Sequence, residues 1–76
     1  MNTKPVEVIL HVNDSLAETD RNEIVTELQN KVGVSHAHFT PDRPHLCVVD
    51  YDPDCLHATD LLSSIREKHF NVERIS

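Results

Sequence analysis

The side chains with the most chemistry to offer are six histidines in a chain of 76 residues. Four of them, His11, His38, His45 and His69, stand with Asp14 and Asp20 as candidate metal ligands. Two or three imidazoles with a carboxylate are the donor set for Zn²⁺, Cu²⁺ or Ni²⁺. A second fragment, Cys55-x-His57, offers two of the roughly four ligands a closed site needs. His36-x-His38 puts two imidazoles on one face of a strand, where they can chelate or form a polar rim. The plainer alternative for each group is a set of solvated side chains that never converge, and ligation requires convergence. Asp50-x-Asp52-x-Asp54 imitates the start of a calcium loop, but Cys55 occupies the glycine position and Leu61 the bidentate glutamate position, so calcium is rejected. There is no nucleophile elbow, glycine-rich loop or zinc-protease motif, and the reading is of a protein that is not an enzyme.

Composition narrows the classes further. The formal net charge is -6 and argues against nucleic acid and anionic membrane surfaces, both of which call for clustered Lys and Arg. No apolar run approaches the roughly 20 residues that span a bilayer. The start, Met1 to Pro5, lacks a signal-peptide core and reads as a frayed lead-in to a cytoplasmic protein. The two cysteines are too few for a disulfide framework. Cys47 is expected to face inward as a small hydrophobe, away from Cys55.

The elements that must position these groups follow from periodicity. Val6 to Val12 alternates and reads as a strand, with Val6, Val8, Leu10 and Val12 on one face and Glu7, Ile9 and His11 on the other. Ser15 and Glu18 fit a capping box that opens a helix running to about Lys31, with Leu16, Ile24, Leu28 and Val32 as its apolar stripe. Gly33 stands where a left-handed C-terminal residue is wanted. Val34 to Phe39 reads as a second strand with Ala37 and Phe39 inward. Leu46 to Asp52 is the most β-prone run and stops before Pro53, which cannot donate a ladder hydrogen bond. A second helix runs from about His57 to Lys68, with Leu61, Leu62 and Ile65 on its apolar face and Ala58 and His69 completing it. Val72 to Ile75 is a short last strand.

The order β-α-β-β-α-β gives an α+β, ferredoxin-like sandwich over a single domain, 1–76. Right-handed crossovers put the third strand between the first and second, antiparallel to both, with the fourth outside the first and both helices on one face. The other face is open. On it Ile9, Leu46 and Val48 form an apolar strip rimmed by His36 and Asp50, a candidate contact for a protein partner or a second copy. His11 and His38 sit on strands separated by a third, roughly 10 Å apart, which is long for one ion unless a loop assists.

Several of these residues carry a family resemblance. Gly33-Val34, the spaced Ala37 and Phe39, Val49-Asp50-Tyr51-Asp52-Pro53, Leu61-Leu62-Ser63-Ser64-Ile65 and His69-Phe70-Asn71-Val72 resemble the heavy-metal-associated domain, a family of small copper chaperones and soluble modules of metal-pumping ATPases. The likeness spans Val6 to Val72. The family's metal site is a Met-x-Cys-x-x-Cys loop between the first strand and first helix. Here Ala17 and Asp20 stand where its two cysteines would be, so the thiolates that hold Cu(I) are missing. The resemblance implies that the loops at Asn13–Ala17, Thr40–His45 and Lys68–Phe70 share one end of the domain, with His69 near the metal loop. It implies metal-ion binding or handling through histidine and carboxylate in place of the lost thiolates. The competing expectation is a metal-free interaction or homodimerisation module on the same fold.

Overall fold

In the computed structural model, which describes residues 5–75, β1 (Val6–Val12) leads through a loop into α1 (Glu18–Gln29). Then follow β2 (Val34–Phe39), β3 (Leu46–Tyr51), α2 (Ala58–Arg66) and β4 (Val72–Arg74). The four strands form one antiparallel sheet in the order β2-β3-β1-β4, as the crossover argument requires. The expected fraying at the start concerns residues that, but for Pro5, lie outside the described ones.

The core sits between the sheet and the two helices. Val8, Leu10 and Val12 of β1 and Cys47, Val49 and Tyr51 of β3 point into it, as period-two alternation dictates. Ile24 and Leu28 meet them from α1, and Ala58, Leu61, Leu62 and Ile65 from α2. Phe39 packs at the margin. Leu56, just before α2, also belongs to the core.

Helix ends differ from the expectation, and the reason is local hydrogen bonding. Ser15 does not cap α1. Ala17 is the N-cap residue, and the Asp20 carboxylate reaches back to accept from the Ala17 backbone N–H at 3.0 Å. An alanine has no acceptor to return the favour, so only half of a capping box exists. The same half-box opens α2, where Asp60 accepts from the His57 N–H at 2.8 Å. α1 ends at Gln29, short of Lys31, so Val32 leaves the stripe and is 85% exposed.

Gly33 does adopt a positive φ, +103°, but in the turn into β2 rather than at the helix end. A Cβ there would lie 2.6 Å from Leu56 Cδ2 and 2.7 Å from Cys55 Cβ. α2 ends at Arg66, and His69 is exposed with φ 71°, so it turns the chain out of the helix instead of completing its apolar face. β3 stops at Tyr51 because Asp52 starts a turn: its Oδ1 accepts from Asp54 N–H and its carbonyl from Cys55 N–H. β4 stops at Arg74, leaving Ile75 to donate from its N–H to the Ile9 carbonyl at 3.0 Å.

Candidate functional site

The loop after β1 is held by the carboxylate of Asp14, one of the expected ligands. The Asp14 carboxylate accepts from the Asn71 backbone N–H at 2.6 Å and from Asn71 Nδ2 at 3.4 Å, while Asn13 N–H donates to the Asn71 carbonyl at 2.8 Å. These bonds tie the β1–α1 loop to the turn before β4. On the other side, Val12 N–H donates to the His45 carbonyl at 2.9 Å and closes the loop against the β2–β3 hairpin. The three loops therefore do share one end. Asp20 is spent on the α1 cap. Both carboxylates are engaged with backbone N–H groups, and turning them away to an ion would give up those bonds.

The histidines fall into separate groups. His11 on β1 and His45, the residue before β3, lie with ring centroids 6.0 Å apart and planes inclined by 30°. His11 Nδ1 is 2.6 Å from Asn13 Oδ1, and His45 Nδ1 is 3.0 Å from the Val12 carbonyl oxygen. Both line a shallow depression with Arg43, Leu46 and Ile75. His69 instead borders a different depression, with Arg66, Phe70 and Glu73. His38 pairs with His36 on the exposed side of β2, centroids 4.9 Å apart and tilted by 45°. Among the described residues no three of His, Cys, Asp and Glu converge as a metal cage.

At the opposite end, Cys55 and His57 are both exposed. Cys55 Sγ is 3.5 Å from Asp52 Oδ2, and that hydrogen bond, with the nearby charges of Asp52 and Asp54, pushes the thiol pKa up. A thiol held protonated is a poor ligand and a poor nucleophile. Cys47 is buried, and desolvation pushes its pKa up to about 12. Both cysteines are free.

The open sheet face is continuous. Ile9 pairs with Val48, His11 with Leu46, and His36 with Asp50 in the strand registers. Ile9, Leu46, Val48 and Asp50 are half-buried, and His36 is exposed. The β4 side adds Ile75, 53% exposed, and Glu73 opposite His11. Sequence reasoning missed Arg43 and Ile75 beside the His11–His45 pair. The β1–β4 register is the signal that would have found Ile75. No described helix is long and apolar enough to cross a membrane.

No family model and no curated protein matches the sequence. Solved structures do match its fold. The yeast copper transporter domain, solved in apo and Cu(I)-loaded states, aligns at 27% identity with a TM-score of 0.82, covering 92% of this chain and 94% of that one. The CopZ metallochaperone aligns at 19% identity and a TM-score of 0.81, covering 90% and 100%. Oxidised MerP from Ralstonia metallidurans CH34 aligns at 15% identity and 0.84, covering 95% and 99%. The latter two, at such low identity, speak to the fold alone. The resemblance to the heavy-metal-associated domain thus holds in three dimensions, and the Cys-x-x-Cys pair is absent from it.

Proposed function

We propose that this chain is a metal-handling domain that meets its ion through imidazole rather than thiolate. The observation that carries the reading is the likeness to a copper transporter domain, at 27% identity along 92% of the chain. The fold is kept while the thiolates are gone, so the ion changes with the donors. Imidazole suits Zn²⁺, Cu²⁺ and Ni²⁺, whereas Cu(I) selects sulfur. With Asp14 and Asp20 holding backbone N–H groups, the imidazoles are the main protein donors, and coordination is open, as suits handing an ion on rather than storing it. The role is binding and transfer in the cytoplasm, alongside a protein partner, without catalysis.

An amide NMR titration of the tag-free protein with Zn²⁺, Ni²⁺ and Cu²⁺, and with Cu(I) under reducing conditions, tests this. Saturation near one equivalent of a divalent ion is expected, with weaker uptake of Cu(I). No saturable shift with any ion overturns it.

A second reading has its own support. Asp14 and Asp20 fix the chain rather than face an ion, and the Ile9–Leu46–Val48 strip is exposed enough to be covered. On that reading the domain is a metal-free interaction or homodimerisation module. Sedimentation in the presence of a chelator separates the two: a dimer that persists without metal favours this module.

A further inference from the structure

We infer that His11 and His45 form a two-imidazole site for a divalent transition-metal ion, with both Nε2 nitrogens set as acceptors by their Nδ1 hydrogen bonds. The inference rests on the metal-handling reading and names its site. A backbone carbonyl can only accept, so His45 Nδ1, 3.0 Å from the Val12 oxygen, carries the proton in the neutral ring. His11 Nδ1, 2.6 Å from Asn13 Oδ1, is assigned the same way from its amide-oxygen partner. In each ring this leaves the Nε2 lone pair as the ligating atom. Metal-bound histidines characteristically give their other N–H to a carbonyl or carboxylate, which fixes the ring and raises its basicity. Here that outer layer is already in place, and it is made of the strand end itself.

The two rings are within reach of one ion. Two metal–nitrogen bonds of about 2 Å each, plus roughly 1 Å from each nitrogen to its ring centre, span at most about 6 Å in a straight line. The centroids are 6.0 Å apart with the rings stacked at 30°, so to share an ion the two side chains turn their Nε2 edges toward each other and draw slightly together. Leu46 and Ile75 supply an apolar floor beside the rings. Arg43 lines the same depression and opposes a bare cation. It favours an ion that arrives with, or acquires, an anionic co-ligand. The open positions are then filled by water or by a carboxylate donor on the protein that receives the ion.

The test is imidazole NMR on the histidine-¹⁵N-labelled protein, titrated with Zn²⁺ in a non-coordinating buffer. Before addition, both neutral rings should show the Nδ1–H tautomer. With one equivalent, the Nε2 resonances of His11 and His45 should shift together while those of His36, His38 and His57 stay. His11→Gln and His45→Gln should each lower affinity at least tenfold with an unchanged amide spectrum. Asn13→Ala keeps both ligands, so it should shift the His11 tautomer balance and lower affinity by about tenfold. One-equivalent binding that shifts His36 and His38, or Cys55 and His57, instead overturns this site and leaves the metal-handling reading standing. Absence of saturable binding overturns both.

Discussion

Cys47 shows how burial sets reactivity at one residue. Its thiol ionises near 12 in the folded protein against an ordinary 9.0. The folded-state pKa is raised, so between these values the unfolded chain sheds the proton first. Stability from this group is therefore whole below pH 9 and falls as pH rises, by about 1.4 kcal/mol per pH unit until the folded thiol ionises too. Urea unfolding at pH 8 and pH 10 should show that loss, and a Cys47→Ala variant should show less of it. Cys55 is accessible, but Asp52 disfavours its thiolate. Asp52→Asn should speed its alkylation at pH 8 several-fold, while Cys47 stays unreactive until the protein unfolds. The roles of Cys47 and of the inward Ala37 were legible from strand alternation alone. The fates of Asp14 and Asp20 were not. Residue type marks a carboxylate as a potential ligand, but whether a backbone N–H has already claimed it depends on a partner as distant as Asn71.

At the scale of elements, strands were easier to read than helix ends. In β1 and β3 every second residue is apolar, and all of these enter the core except Val6, 41% exposed at the start of β1. For α1, spacing by fours ran on to Val32, past the last hydrogen-bonded turn, because nothing in an apolar pattern marks where the backbone departs. Both helices open on an aspartate three residues into the helix reaching back to the cap N–H, a device visible only as an unremarkable Asp. The turn into β2 leaves no room for a side chain at Gly33. Gly33→Ala combines a positive φ with contact against Leu56 and Cys55, and should cost about 1–3 kcal/mol from backbone conformation alone. Chemical denaturation measures that directly. Asp14→Ala releases both Asn71 donors and should cost about 1–2 kcal/mol. Hydrogen exchange at the Asn71 amide should accelerate before the strands of the core respond.

The whole molecule keeps the fold of the copper-binding domains it resembles, without their pair of cysteines. The loop that bears cysteines in the family is here stitched to its neighbours by Asp14, Asn13 and Val12. His11 and His45 lie at one end of the open sheet face, beside Leu46, Ile75 and Arg43. With a net charge of -6, the surface draws cations toward it over long range. Sequence alone pointed to the fold and to the missing thiolates. It could not pair His11 with His45 rather than His38 or His69, because that choice depends on where the hairpin folds back against the end of β1. The most direct measurement is equilibrium dialysis of the tag-free chain against Zn²⁺, with ion and protein quantified in the same compartment. Saturation near one ion per chain is the predicted result. Protein that retains no zinc above the buffer level, and no Cu²⁺ or Ni²⁺ in parallel dialyses, contradicts the account.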